Sequence, residues 1–402
     1  MRVSLSSIFS HTNANLQKLA EELQEINATI ASGRKYQDIT GDPVEVGALM
    51  GLTVDQGQVA QYQENLETGR EWLATTEATL QSINEMLRGA MALANQMATG
   101  TYAASQRAAA AEQIKGYLEE MMQVGNARLK GHYLLSGYKI DTQPFAPGGW
   151  VIQPAEARLM PGSGYTGSAT SSGTYVGNTS RTYVVEIVNG GAVGAAGFRV
   201  SEDGGRSWTT DPSFVTSTSP TPIWGGTGPQ GVSLAFTDSG ALTAGDRFVV
   251  AVNQPILYQG DENTLELAIG RGSRQAVNQV GSQALGGDGN PLDLFQMLNR
   301  LVSSLEANDP AAVGACLEEL RRGQEHLNAT LAHLGASLNR VDIKKGVFET
   351  LKEELATQWS HRGDTDLVAA VNALKSKEAA YQAALLGGVR LMGMSLVELL
   401  KP

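Results

Sequence analysis

Cysteine is nearly missing from this sequence, which limits its covalent chemistry. The 402 residues include a single cysteine, Cys316, so no disulfide can form within the chain. A lone thiol can act as a nucleophile, but Cys316 lies in the helical stretch A-A-V-G-A-C-L-E-E-L. In that setting we interpret it as a buried residue that packs as a small hydrophobic side chain.

An excess of positive charge is also missing. Lys and Arg number 30 against 41 Asp and Glu, which gives a formal net charge of -11. A nucleic-acid binder needs a basic surface to displace counterions, and an anionic membrane attracts clusters of Lys and Arg. We therefore expect neither a nucleic acid nor a membrane among the partners of this protein.

Long apolar runs are absent. No stretch approaches the ~18 residues that a membrane-spanning helix requires. The opening M-R-V-S-L-S-S-I-F-S has neither a continuous apolar core nor a small-residue cleavage site, so it does not resemble a Sec signal peptide. We expect a protein that stays in the cytoplasm or leaves the cell by a route that needs no cleaved signal.

Motifs for catalysis, cofactors and metals are not found. The five histidines are scattered, and His326 and His333 have no nearby Cys or His to complete a zinc site. The sequence contains no phosphate-binding loop, dinucleotide fingerprint or nucleophile elbow. We expect no catalytic, cofactor-binding or metal-binding residues, and a protein that is not an enzyme.

Helical periodicity is the strongest positive signal. Apolar residues recur in alternating steps of three and four, the spacing of a coiled-coil seam, in runs that include 59–97, 110–124 and 327–341. Such a seam is compatible both with an ordinary bundle core and with an assembly interface. Gly33 is predicted to end the first helix, and Asp42-Pro43 and Asp309-Pro310 are predicted to begin two others.

The terminal segments 1–32 and 364–402 each carry one narrow apolar stripe and little else to pack against. Helices of this kind are marginal in water without a partner. We expect the two termini to cover each other and then to meet neighbouring copies, mobile in the monomer and ordered in an assembly. The predicted assembly seam consists of Leu5, Phe9, Leu16, Leu19, Leu23, Ile26, Ile30, Leu367, Val371, Leu374, Tyr381 and Leu385.

The middle of the chain predicts β structure. It is rich in Gly, Ser and Thr, and residues 182–188, 198–200, 232–236 and 247–252 predict strands separated by glycine turns. The expected fold class is α+β, a long antiparallel coiled-coil-like helical bundle from both termini with a central β-rich inserted domain. The predicted domains are a terminal assembly domain (1–42 and 363–402), a helical bundle domain (43–137 and 271–362) and the insert (138–270).

One turn in this middle region resembles the Asp-box of β-propellers. Residues 201–208 read S-E-D-G-G-R-S-W and occur once, without a blade-length repeat. We expect a hairpin turn in which Asp203 accepts turn amides and Trp208 packs beneath. A secreted glycan-binding or glycan-active protein is the alternative of a different class, and this turn is its only support.

Three motifs carry a family resemblance: the opening M-R-V-S, the loop A-S-G-R-K-Y-Q-D-I-T-G-D-P-V, and G-H-Y-L-L-S-G-Y-K-I-D-T-Q-P-F. Together they resemble the flagellin superfamily and, more narrowly, its hook–filament junction subfamily, although Gly41 stands where that subfamily has Asp. The motif residues are Asp42, Pro43, Val44, Gly131, Tyr133, Leu134, Ser136, Gly137, Pro144 and Phe145. Filament flagellin is the alternative in the same class, and a coiled-coil protein of a phage tail or secretion machinery is a more distant one.

The resemblance implies a structural subunit of the bacterial flagellum that joins hook to filament. It implies export through the flagellar type III channel, unfolded and without a cleaved signal, to an extracellular place in the flagellum. The implied partners are copies of itself, the other hook-associated junction protein, filament flagellin and an export chaperone. We expect the chaperone to cover Leu374, Tyr381, Leu385, Met392, Leu396 and Leu399.

Overall fold

The computed structural model describes residues 5–36, 42–287 and 292–399. Within them, long helices lie at both ends of the chain and antiparallel sheets lie in the middle, which confirms the predicted α+β class. The chain divides into two compact units, residues 1–64 with 344–402 and residues 65–343. The domain boundaries expected from the sequence remain predictions.

Local capping signals explain where the helices begin and end. The helices are α1 (Leu5–Ser32), α2 (Pro43–Met97), α3 (Ala104–Gly125), α4 (Gly281–Leu285), α5 (Leu294–Glu306), α6 (Pro310–Gly363) and α7 (Leu367–Leu399). Gly33 follows α1 with a φ of 68°, a conformation that glycine adopts without strain. Asp42, Asp309 and Asp366 each accept amides of the first turn of α2, α6 and α7 on one carboxylate oxygen, at 3.0–3.2 Å. These aspartates are N-caps.

In the first unit, α1 packs antiparallel against α7. Backbone hydrogen bonds join the segment that follows α1 to the turn between α6 and α7. The Lys35 amide donates to the Gly363 carbonyl at 2.7 Å, and the Thr365 amide donates to the Gly33 carbonyl at 3.0 Å. These bonds fix the register of the pair from one end.

In the second unit, α2 and α6 contribute heptad-spaced residues to a helical core. The buried residues of this spacing are Leu66, Leu73, Leu80 and Leu87 on α2 and Leu320, Leu327, Leu334 and Val341 on α6. Asn84 on α2 donates to Asn328 on α6 at 3.0 Å, and α3 packs against α5. Here the predicted periodicity forms a bundle core.

The strands of the second unit form antiparallel sheets. They are β1 (Arg128–Leu129), β2 (His132–Tyr133), β3 (Phe145–Pro147), β4 (Val151–Ile152), β5 (Glu156–Arg158), β6 (Ala169–Gly173), β7 (Arg181–Asn189), β8 (Gly197–Ser201), β9 (Thr221–Pro222), β10 (Val232–Phe236), β11 (Arg247–Asn253), β12 (Ile256–Tyr258), β13 (Glu266–Ala268) and β14 (Arg274–Ala276). The four strands predicted from β-branched runs correspond to β7, β8, β10 and β11.

Two sheets enclose the core of the insert. The larger has the order β4-β11-β7-β8 with β5 also paired to β11, and the smaller has the order β6-β10-β9. Tyr183, Val185 and Ile187 on β7 share this core with Phe236 and Phe248. The alternate residue Val184 packs on the opposite face with Val249 and Ala307. Both faces of β7 are therefore covered, which explains its continuous apolar run.

The chain enters and leaves these sheets through a narrow base. β3 pairs with β12 as a two-stranded ladder, and all strands of the two sheets lie between them in sequence. Phe145 of β3 is fully buried and packs against Tyr258 and Phe295, with ring centroids 5.5 and 5.2 Å away. The base is thus attached to α5 through aromatic packing.

Candidate assembly surface

Residues of the predicted assembly seam on α1 lie along one face of that helix. Leu16, Leu19, Leu23, Ile26 and Ile30 are half-buried. The side chains of Leu5 and Phe9 lie outside the part of the chain that the structure describes. The apolar stripe of α1 therefore keeps a share of its surface in solvent even beside α7.

The face of α7 that is half-buried is mostly small or polar. It consists of Ala370, Leu374, Lys377, Tyr381, Ala384 and Gly388. Lys377 pairs with Glu22 of α1, with 2.6 Å between Nζ and Oε2. A Cβ on Gly388 would lie 3.6 Å from the Thr12 methyl carbon, which also places this face toward α1.

A second face of α7 carries exposed apolar side chains near both of its ends, with the exposed Lys375, Glu378 and Gln382 between them. These apolar side chains, which we call the α7 stripe, are Leu367, Val368, Val371, Leu385, Leu386 and Val389. Val368, Leu386 and Val389 are the most exposed, at 73%, 67% and 67%. At 3.6 residues per turn the centres of the two faces are about 110° apart. Among the side chains that the structure describes on α7, most of the larger apolar ones are therefore turned away from α1.

The residues predicted from sequence divide between these two faces. Leu374 and Tyr381 lie on the face toward α1, whereas Leu367, Val371 and Leu385 belong to the exposed stripe. Sequence reasoning missed Val368, Leu386 and Val389, which a helical-wheel comparison of the whole helix would have placed beside Leu367 and Leu385. The side chains of Met392, Leu396 and Leu399, predicted for the chaperone, lie outside the described residues.

The first unit exposes further apolar side chains on its other helices. They are Val44, Met50 and Val54 on α2 and Val347 and Leu351 on α6. The first unit therefore exposes single apolar side chains on α2 and α6 as well as those on α7.

The family-motif residues have structural roles. Asp42 caps α2, in which Pro43 and Val44 are the first residues, while Gly41 lies outside the described residues. Tyr133, Leu134, Ser136 and Phe145 are buried in the second unit, where the Pro144 carbonyl accepts from the Gln259 amide at 2.8 Å. The 131–145 motif is thus part of a core.

Two glycines of the 131–145 motif have positive φ. Gly131 has a φ of 93° in the β1–β2 turn, and Gly137 has a φ of 70°. A Cβ on Gly137 would lie 2.2 Å from an oxygen of Asp261, which accepts the Tyr138 amide at 2.8 Å. Glycine is required there by both conformation and space.

The Asp-box-like turn forms the hydrogen bonds predicted from its sequence. One oxygen of Asp203 accepts the amides of Arg206 and Ser207 at 2.8 and 2.9 Å. Burial acts to raise the pKa of Asp203, but its hydrogen bonds from Ser207, Ser201 and the Arg206 amide outweigh burial and lower this pKa. Asp203 therefore stabilises the turn as a carboxylate.

Trp208 of this turn is committed to packing within the chain. Its ring contacts the cluster of Val184, Val249 and Ala307, and the Arg199 guanidinium lies 4.2 Å from its centroid. A sugar-binding site would use such a ring as a free platform. The geometry of Trp208 therefore favours the hairpin interpretation over the glycan one.

The described residues were compared with the patterns of a metal site and of a membrane-spanning helix. Among 5–36, 42–287 and 292–399, no three His, Cys, Asp or Glu side chains cluster as metal ligands. Within those same ranges, no helix has the length and apolarity to cross a bilayer. In the described part of the first unit, the helices have faces that can pack against other helices.

Comparison with known proteins gives the class first. Residues 3–140 match the family model described as the bacterial flagellin N-terminal helical region. The matched range contains α1, α2 and α3, and so includes one member of the α1–α7 pair. The resemblance to the flagellin superfamily seen in the motifs is confirmed over this range.

A particular relative follows within that class. The chain is 22% identical over 177 residues to flagellar hook-associated protein 3 of Salmonella typhimurium. The match covers 42% of this chain and 56% of that protein, so the chain spans about half the length of the curated relative that it matches.

Solved structures of hook-associated proteins also resemble the chain. Bacillus cereus FlgL gives a TM-score of 0.44 at 14% identity, covering 77% of this chain and 99% of that one. Flagellar hook associated protein-3 from Legionella pneumophila gives 0.41 at 14% identity, covering 78% and 98%.

Proposed function

We propose that this protein is a structural subunit of the bacterial flagellum that joins the hook to the filament. The observation that carries this proposal is the match of residues 3–140 to the flagellin N-terminal helical region. Similarity to a hook-associated protein 3 favours the junction over the filament itself. Filament flagellin is the second candidate, because the matched family model describes flagellin.

Neighbouring copies are joined, in this proposal, through α1 and α7. The α7 stripe supplies six apolar side chains that α1 leaves exposed. Each Leu or Val that becomes buried at an interface contributes about 1.5–3 kcal/mol before the costs of association. The α1–α7 pair is held together by its half-buried residues, which are Leu16, Leu19, Leu23, Ile26, Ile30, Leu374 and Tyr381. The neighbouring copy contacts Leu367, Val371 and Leu385.

The partners in this proposal are copies of the chain, the other hook-associated junction protein, filament flagellin and an export chaperone. The chaperone covers the apolar surface of α7, with Leu374, Tyr381, Leu385, Met392, Leu396 and Leu399 as its contacts. We propose export to the extracellular flagellum without a cleaved signal, and no catalytic activity. The absence of any possible intrachain disulfide is compatible with passage through the channel unfolded.

The test is electron microscopy of flagella from a deletion strain. We expect hooks without filaments, flagellin released into the medium, and filaments restored by the wild-type gene. Intact filaments on the deletion strain would refute the proposal. Polymerisation of the purified protein alone into long filaments would instead identify filament flagellin.

A further inference from the structure

The two sheets of the insert have a second attachment to the helices besides the β3–β12 base. The turn 306–309 between α5 and α6, which we call the docking turn, meets the larger sheet on the face opposite its core. Glu306 is the polar centre of this contact. The Thr182 hydroxyl of β7 donates to Glu306 Oε2 at 2.6 Å, and Lys115 of α3 lies 2.6 Å from Oε1.

Asp309 makes a second polar link. Its Oδ2 accepts from Arg158 Nε of β5 at 2.6 Å, while its Oδ1 accepts the Ala311 and Ala312 amides, each at 3.1 Å. One carboxylate therefore caps α6 and also holds the edge of the sheet. Charge-assisted hydrogen bonds of this geometry are among the stronger ones in proteins.

The Asp-box-like turn, residues 201–208, supplies the apolar part of the contact. Trp208 packs with Val184 and Val249 of the sheet and with Ala307 of the docking turn. Gly204, with a φ of 70°, approaches so closely that a Cβ there would lie 2.5 Å from the Glu306 carbonyl oxygen. The inner surface of this turn is therefore shaped to fit a segment of its own chain.

On its other side, the docking turn is bound to the helical bundle. Arg107 of α3 is buried and donates to Asn308 Oδ1 at 2.6 Å. The same guanidinium donates to the carbonyls of Met97, Thr99 and Tyr102, at 3.0, 2.7 and 2.8 Å. Asn308 itself has a φ of 53°, a conformation that asparagine tolerates better than most residues.

We propose that the docking turn is a second point at which the insert is attached to the helical bundle, which we call the second anchor. The Asp-box-like turn, residues 201–208, is the part of the insert that packs against it. A two-stranded ladder alone is a weak attachment and acts as a hinge for the sheets beyond it. With the docking turn engaged, the sheets are held at two separated points and cannot pivot about the base. This inference does not depend on the flagellar function.

The test uses the full chain with two spin labels, in a Cys316→Ala background. Thr218→Cys places one label on an exposed loop of the insert, and Arg322→Cys places the other on the exposed side of α6. The expected distance distribution is narrow. In the triple variant Thr182→Val, Arg158→Gln and Trp208→Leu, we expect it to become at least about twofold broader, since the base then acts as a hinge.

The matched control is Glu319→Gln, which removes an ion pair between α5 and α6 made with Arg300 at 3.1 Å. This pair does not involve the insert, so the distance distribution of the control should be as narrow as that of the wild type. A triple variant that retains a cooperative thermal unfolding transition and its narrow distance distribution would overturn the proposal.

Thr182→Val alone covers the case in which the triple variant fails to fold. It removes the hydroxyl that donates to Glu306 while preserving side-chain shape. We expect backbone amides of β7 to exchange with solvent roughly tenfold to a hundredfold faster, the range for a lost hydrogen bond to a charged group. Unchanged exchange in β7 would equally overturn the second anchor.

Discussion

Glu22 on α1 and Lys377 on α7 form an ion pair across the antiparallel terminal helices, with 2.6 Å between Oε2 and Nζ. Lys377 stands at a heptad position of the face that meets α1, between Leu374 and Tyr381. A charged residue at such a position favours one register, because a shifted register would leave it opposite apolar side chains. The hydrogen bond from Lys377 also lowers the pKa of Glu22.

Reversing one charge of this pair should loosen the terminal helices. Glu22→Lys places two cations together, and we expect faster amide exchange in α1 and α7. The loss of stability should be small, because both side chains are partly solvated. Lys377→Glu added to Glu22→Lys should restore wild-type exchange. Glu21→Lys, on an exposed neighbouring position, is the control, and an equal effect there would contradict a specific pairing.

The α7 stripe should matter for assembly more than for folding. Leu386→Asp with Val389→Asp changes two side chains that are already exposed, so the circular dichroism of the monomer should remain that of the wild type. We expect loss of filaments when this variant complements a deletion strain, because charges would be buried between copies. Ser376→Asp, at an exposed position of α7 that lies away from both faces, is the control. Normal filaments from the double variant would exclude the stripe from the interface.

Deletion of residues 364–402 should abolish both chaperone binding and assembly. It removes α7 but leaves the cores of the bundle and the insert, which lie within residues 65–343. Thermal unfolding of the second unit should therefore persist, measured by near-UV circular dichroism. Chaperone binding can be measured by calorimetry, with the full-length protein as the reference. Retained binding by the truncated protein would refute the C-terminal chaperone site.

The terminal helices should exchange rapidly in the monomer. Leu19 and Leu374 are only half-buried in the α1–α7 pair, and a two-helix contact of this kind gives limited protection. We expect low hydrogen-exchange protection near both residues, and strong protection near Leu80, which is fully buried. Assembly should then protect the terminal amides. Strong protection near Leu19 and Leu374 in the monomer would contradict this prediction.

The sequence by itself determined the features that depend on short-range interactions. Asp42 and Asp309 are N-caps because each side chain reaches the amides of the next turn, and Gly33 ends α1 because of its own conformation. The strands follow from β-branched runs between glycine turns. Asp203 likewise finds its hydrogen-bond donors within four residues.

The tertiary structure decided which surfaces meet. The spacing of apolar residues placed five residues of α7 in one seam. The structure turns Leu374 and Tyr381 toward α1 and leaves the other three, Leu367, Val371 and Leu385, exposed. That orientation is consistent with the backbone bonds at Gly33 and Gly363 and with the Lys377–Glu22 pair. Trp208 packs against Ala307, far along the chain. Such pairings join segments that no local pattern relates, because they depend on the complementarity of two complete surfaces.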